Sequence, residues 1–299
     1  MSLHGEAFAL WRAERRSPTM QAMRRPPFVR GTTLPGFGPA FGLTLLWVGL
    51  IVLLPLTALV LRPWELGVAG VFASVTAPRV LSALRLSFGA ALAAAAIDVP
   101  IGLLVAWVLV RFRFPGRRLF DAMVDLPFAL PTAVAGISLT ALYAPNGWIG
   151  RLLAPFGLQI AFAVPGILIA LVFVGMPYVV RAIQPVLMDL PPELEEAAAT
   201  LGATGPQILS RVVLPAILPA LLTGFAMAFA RAVGEYGSVI FIAGNMPGYT
   251  EIAPLLIVIR LEQYDYAGAA ALALAMLVIS GLILAALNVV QRRLRRKRA

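Results

Sequence analysis

Residues 189–215 read DLPPELEEAAATLGATGPQILSRVVLP, a polar stretch between two apolar runs near Ala161–Val180 and Val212–Val233. Asp189 precedes Pro191 and Pro192, which suit a first helical turn, and Glu193, Glu195 and Glu196 place negative charge at a helix's positive end. Ala197–Leu201 are mostly strong helix formers, and Gly202 is placed to end the helix in a left-handed conformation. Thr204 and Pro206 then cap and start a second helix, which continues past Arg211 and Leu214-Pro215 into the next apolar run. The pattern predicts a small, partly apolar helical knuckle continuous with a membrane span. A soluble partner can grip such a knuckle, and a push on it travels along the span. By composition alone the same stretch is equally an interhelical loop with good caps.

The rest of the chain sets this knuckle in lipid. Of the 299 residues 60% are hydrophobic and 13% charged, with a mean hydropathy of +0.89, against about 45–50% apolar and about 25% charged in soluble domains. Roughly 20 apolar residues cross a bilayer. That criterion predicts six spans, near Phe41–Leu61, Leu84–Val110, Val124–Leu142, Ala161–Val180, Val212–Val233 and Tyr266–Val290. The first apolar run exceeds the roughly 7–15 residues of a signal h-region and is expected as a retained span. The 26 Gly and 24 Pro fall inside apolar stretches, where membrane helices use them for kinks and close packing.

Orientation follows from arginine placement. With both termini cytoplasmic, the inner segments hold most of the 24 basic residues, including Arg12–Arg30, Arg111–Arg118, Arg181, Arg211 and the tail from Arg292. The outer segments hold Arg62, Arg79, Arg151 and Arg260. The formal charge of +10 is then a positive-inside bias rather than a nucleic-acid footprint. The expected organisation is a polar basic leader over 1–33, a six-span domain over 34–290 with the knuckle at 189–215, and a basic cytoplasmic tail over 291–299. Outside, Asn146–Leu158 with Trp148 and Phe156 suits a short interfacial hairpin, and Gly244–Asp265 is expected to turn back towards the last span.

Several chemistries are excluded. There is no cysteine, hence no thiolate metal site or cysteine nucleophile. The single histidine, His4, lies in the leader, so an intramembrane hydrolase lacks a base for the weak Gly136-Ile137-Ser138 nucleophile signal. No Walker A pattern occurs, so the chain is expected to be no enzyme and to carry no cofactor or metal, with any ATP hydrolysis on another subunit.

Polar residues at membrane depth usually face protein or water. Arg231 and Glu235 are four apart and share a helix face, where they form either an anion contact or a structural pair. Thr132 and Ser138 follow Pro127 and Pro131 and either donate to a passing anion or satisfy carbonyls freed by the prolines. Ser238 joins these as a candidate for the pathway. Asp98 suits a structural or subunit-contact role, and Asp125 is expected to pair with the basic loop Arg111–Arg118.

The literal pattern Glu196-Ala197-Ala198, three residues, Gly202, nine residues, Val212-Val213-Leu214-Pro215 resembles the EAA loop of ABC importer permeases. Further stretches are similar to the T subunit of bacterial sulfate/thiosulfate importers: Arg113-Phe114-Pro115-Gly116-Arg117, Asp125–Gly136, Gln184-Pro185-Val186-Leu187 and Gly234–Asn245. The likeness spans about residues 34–290. It implies a type I importer permease fold and an ATPase-coupling role for Glu196, Ala197, Ala198, Gly202, Ala203, Leu214 and Pro215. It further implies a homologous second permease subunit of the W type, two ATPase copies that bind ATP and Mg, and a periplasmic sulfate-binding protein. Molybdate and tungstate permeases share the EAA loop and remain the alternative cargo class. A gradient-driven transporter would predict inverted repeats and midplane carboxylates, for which Asp98 is the one candidate.

Overall fold

A computed structural model of the chain describes residues 37–296, with side chains described to residue 293. The leader expected at 1–33, with its arginines and His4, lies outside the described residues, as does the end of the basic tail. By backbone contact the chain divides into residues 1–55 and 56–299. In the first unit, helix α1 (Phe37–Val48) runs into a π-helical turn, Gly49–Leu53, and neither buries a residue. A helix apolar on every side is what lipid requires.

The larger unit is helical throughout its described elements. The chain passes along α2 (Leu54–Leu61), a 3₁₀ turn at Arg62–Leu66 and α3 (Gly67–Thr76), then into the long α4 (Pro78–Arg111). Among the described residues, five stretches are long and apolar enough to cross a membrane: Phe37–Thr76, Pro78–Arg111, Val164–Asp189, Gly205–Val233 and Tyr266–Arg293. The remaining expected span, Val124–Leu142, is built in pieces. It comprises α5 (Arg117–Val124), α6 (Leu126–Ala129) and α7 (Thr132–Tyr143). The break has a local cause: Leu130 precedes Pro131 and is driven to an extended conformation, with φ −83° and ψ 133°. Twelve residues in α7 give a length of about 18 Å, short of the roughly 30 Å hydrocarbon core.

Three helices form the centre: α4, α9 (Val164–Asp189) and α12 (Leu214–Val233) pack pairwise against one another. Small residues let them approach. A methyl group added at Gly102 of α4 would lie 2.7 Å from Val179 Cγ1, and one added at Gly224 of α12 would lie 3.0 Å from Val179 Cα. Val179 of α9, fully buried, is thus gripped where the three helices cross. In lipid, where burial supplies little drive between helices, such close backbone approach is the main source of packing energy.

The connections on the far side from the knuckle are more ordered than the sequence suggests. Asn146–Leu158 contains a short helix, α8 (Trp148–Leu153), with Trp148 and Phe156 largely exposed, as an interfacial element requires. The segment expected only to turn back over Gly244–Asp265 holds a ten-residue helix, α14 (Ala253–Glu262), which packs on the last helix, α15 (Tyr266–Arg296). Arg79 forks onto the buried Glu251 at 2.8 and 2.6 Å, and Arg260 reaches Ser74 Oγ at 2.6 Å and the Gly268 carbonyl at 2.7 Å.

Candidate functional site: a capped knuckle and a carboxylate-pinned loop

Helix α9 does not stop where its apolar run ends. It continues to Asp189, carrying the chain out to α10 (Glu193–Thr200), whose first turn holds Glu193, Glu195 and Glu196. The knuckle then closes with a Schellman turn. Gly202 takes φ +84°, its N–H donates to Ala199 O at 2.9 Å, and the Ala203 N–H donates to Ala198 O at 3.0 Å. The next helix, α11 (Gly205–Ile208), opens on a capping box in which the Thr204 N–H donates to Gln207 Oε1 at 2.8 Å. A π-helical turn, Leu209–Val213, joins α11 to α12.

Glu196, Ala197, Ala198, Gly202 and Ala203 therefore share one compact knuckle. Leu214 and Pro215 lie apart from it, half-buried in the first turn of α12 above the fully buried Val213 and Ile217. The knuckle presents apolar surface outward: Leu201 is 89% exposed and Leu194 49% exposed.

One ion-pair system ties the knuckle to α4 and a second ties α5 to α9, and neither was legible in the sequence. Arg111, the last residue of α4, donates from Nη2 and Nε to Glu195 Oε1 at 2.6 and 3.0 Å, and from Nη2 to the Leu190 carbonyl at 3.1 Å. The side chains are only 16% and 20% exposed. In the sequence Arg111 is one of many positive-inside residues, and Glu195 is merely a neighbour of the motif's glutamate. Their spacing of 84 residues carries no local signal.

The second system corrects the expectation for Asp125. Its partner is Arg181 of α9, not the Arg111–Arg118 loop, with Nε to Oδ1 at 2.8 Å and Nη2 to Oδ2 at 2.6 Å. Arg181 also donates to Asp121 Oδ1 at 2.7 Å, to the Asp121 carbonyl at 2.9 Å and to Gln184 Oε1. All five guanidinium N–H groups are thereby engaged. Burial alone would raise the Asp121 carboxyl, but hydrogen bonds from Arg181 and Gln184 outweigh it and hold it below the usual carboxylate range.

The second candidate region surrounds residues 234–238. Arg231 Nη1 meets Glu235 Oε2 at 2.5 Å. The other oxygen, Oε1, accepts from the Ser238 N–H and the Ser238 Oγ, both at 2.9 Å, at the start of α13 (Val239–Ile242). Glu235 is buried, whereas Arg231 keeps 30% of its side chain exposed. A methyl at Gly237 would lie 2.2 Å from Thr132 Oγ1, and one at Gly136 would lie 2.3 Å from Ser238 O. The glycines thus seat this loop against α7 and bring Thr132, Ser238, Glu235 and Arg231 together. Ser138 is exposed, and its hydroxyl forms no hydrogen bond among the described residues.

Asp98 of α4 is buried inside this chain, with neither carboxyl oxygen hydrogen-bonded among the described residues, and its Oδ2 lies 2.2 Å from where a methyl on Gly175 would sit. This placement rules out the subunit-contact half of the expectation.

A helical membrane bundle that projects a capped, apolar knuckle on two long helices has the build of an ABC importer permease. The family model described as binding-protein-dependent transport system inner membrane component matches residues 98–298, and the chain belongs to that family. It is a non-catalytic permease subunit of the inner membrane, in a class that works with an ATPase and a substrate-binding protein. The chain is 48% identical to the sulfate transport system permease protein CysT of Synechococcus elongatus over 267 residues, covering 89% of this chain and 96% of that one. It is 47% identical to the protein of the same name from Escherichia coli, covering 88% and 95%. Among solved structures, a bacterial alginate ABC transporter in complex with an alginate pentasaccharide-bound periplasmic protein matches with a TM-score of 0.72 at 18% identity, covering 86% of this chain and 94% of that one. The methionine ABC transporter MetNI in an inward-facing conformation matches with a TM-score of 0.51 at 21% identity, covering 71% and 96%. These two share the fold.

Proposed function

We propose that the chain is the permease subunit of an ATP-driven importer for sulfate and thiosulfate. The observation that carries the cargo is the 48% identity, over nearly the whole length of both chains, to permeases named for sulfate transport. The partners in this reading are a second, W-type permease, two ATPase copies that bind ATP and Mg, and a periplasmic sulfate-binding protein. The knuckle and both termini are cytoplasmic. The arginine distribution supports this orientation, because most arginines fall on the knuckle side, while Arg62 and Arg79 on the other side are paired with Glu65 and Glu251.

In the mechanism, the ATPase seats α10 in a groove, with Leu194, Ala197 and Leu201 making apolar contact and Glu196 meeting a basic group. Closure of the ATPases displaces the knuckle. The displacement reaches α12 through the continuous backbone of residues 205–233, α9 through Asp189–Pro192, and α4 through Arg111–Glu195. The three helices that cross at Val179 then move together and expose the anion path alternately to either side, a rigid rearrangement of packed helices. Arg231, partly exposed beside a loop held by Glu235, offers the passing dianion a cation whose charge is moderated by its carboxylate.

The test is labelled-sulfate uptake in cells lacking this chain, complemented with wild type or Gly202→Asp, with excess molybdate as competitor. Restoration by wild type, persistence under molybdate and failure of Gly202→Asp despite normal insertion are expected. Intact sulfate uptake in the deletion, with a fall in molybdate accumulation, would reassign the cargo.

A further inference from the structure

At the knuckle end of the bundle, α4, α5 and α9 leave an open groove of about 590 Å³ whose described lining is entirely apolar, including Leu104, Val108, Phe120, Met123 and Met176. Its size falls within the range of small-ligand sites, roughly 300–1,000 Å³. Against it lies a second, polar hollow of about 500 Å³ lined by Gly116, Arg117, Arg118 and Asp121. Phe114 is common to both, and its ring meets Phe120 edge-on at 5.8 Å, forming the wall between them.

The polar hollow carries uncommitted positive charge. Arg117 and Arg118, which line it, form no ion pair among the described residues, and only Arg117 acts through space on the Asp121 carboxylate. The carboxylate that lines the hollow, Asp121, already accepts hydrogen bonds from Arg181 and Gln184. An apolar channel for a chain, capped by free guanidinium groups at the end where the membrane meets the cytoplasm, matches an amphiphile with an anionic head. A free anion would leave the channel unused, and a neutral lipid would leave the arginines unanswered.

We propose that this paired groove is a binding site for one anionic phospholipid, its phosphate held by Arg117 and Arg118 and an acyl chain laid along Leu104, Val108 and Met123. The site rests on the reading that the knuckle side is cytoplasmic. It lies on α5, the piece that Arg181 fastens to α9, so a bound lipid holds α5 against the helix that leads into the knuckle.

The test uses the intact importer, purified in a neutral detergent and examined by native mass spectrometry during titration with phosphatidylglycerol or phosphatidylcholine of matched chain length. One phosphatidylglycerol retained per copy of this chain is expected, with phosphatidylcholine lost. Arg117→Gln and Arg118→Gln should each weaken retention about fivefold, and the double variant roughly 25-fold. Val108→Trp, which fills the channel from an exposed position, should weaken retention without changing charge. Equal retention of phosphatidylcholine would overturn the proposal. So would retention unaffected by all these variants, displacement of the lipid by inorganic phosphate alone, or a protein segment of another subunit seated in the channel. Because binding is read without transport, failure here leaves the importer assignment standing. Absent sulfate uptake with lipid retention intact would remove only that assignment.

Discussion

Arg111→Gln should uncouple the knuckle from α4 without dissolving the fold. Arg111 donates twice to Glu195 Oε1, at 2.6 and 3.0 Å, and once to Leu190 O at 3.1 Å, with both side chains at most 20% exposed. Hydrogen bonds to charged groups contribute about 1.5–3 kcal/mol, while fully exposed pairs are worth about 0–1 kcal/mol. A pair this sheltered but not buried lies between those limits, at about 1–2 kcal/mol of coupling. The assay is a double-mutant cycle of Arg111→Gln and Glu195→Gln, read by unfolding of the purified subunit. The same variants, assembled with their partners in proteoliposomes, report sulfate moved per ATP hydrolysed. Each single variant should lower stability by about 1–3 kcal/mol and the double by less than their sum. ATP turnover should persist while transport per ATP falls. Additivity to within about 0.3–0.5 kcal/mol together with unchanged transport per ATP would refute the clamp.

Gly202→Ala tests the turn itself. Nothing lies within 4 Å of the added methyl, so at φ +84° the cost is purely conformational, about 1–2 kcal/mol, and transport should fall in step with loss of the knuckle's protection from proteolysis. Gly136→Ala should do more harm, because its methyl would sit 2.3 Å from Ser238 O; overpacking of this kind costs about 1–3 kcal/mol, visible as reduced thermal stability. The Asp121 carboxyl lies below its ordinary value in the folded chain, so its contribution is complete above the unfolded value near 3.9 and is lost only as pH falls through the lower folded value. Thermal stability of wild type and Asp121→Asn should therefore differ by a constant amount from about pH 5 to 8 and converge in stronger acid.

Local rules made much of this architecture readable. The prolines before Glu193, the glycine at 202 and Thr204 with Pro206 each specify a backbone conformation within a few residues, and the structure forms all three. Hydropathy located the long spans for the same reason, since lipid demands an apolar side chain at almost every position. What escaped were features set by tertiary contact. The Val124–Leu142 run looked continuous because hydropathy ignores the extended conformation that Pro131 forces on Leu130. Asp125 sits beside a basic loop in sequence, yet its bidentate partner is 56 residues away on α9. Glu195 and Glu196 are indistinguishable as first-turn carboxylates, and only the arrival of Arg111 from α4 separates the sheltered anchor from the exposed one. The Glu235 carboxylate was visible as an i, i+4 partner of Arg231, but its grip on Ser238 depended on a turn that sequence did not resolve.

The chain has no native cysteine, which permits the most direct test of the central claim that α10 is the coupling element. Single cysteines at Ala197 and, as a control, at the exposed Ala93 of α4 would be paired with cysteines along the groove of the partner ATPase and oxidised in native membranes. The account predicts that Ala197→Cys alone cross-links to the ATPase, with an efficiency that changes when ATP is bound, and that locking this pair arrests sulfate uptake until the disulfide is reduced. Absence of any Ala197 cross-link in an importer that still transports would contradict it.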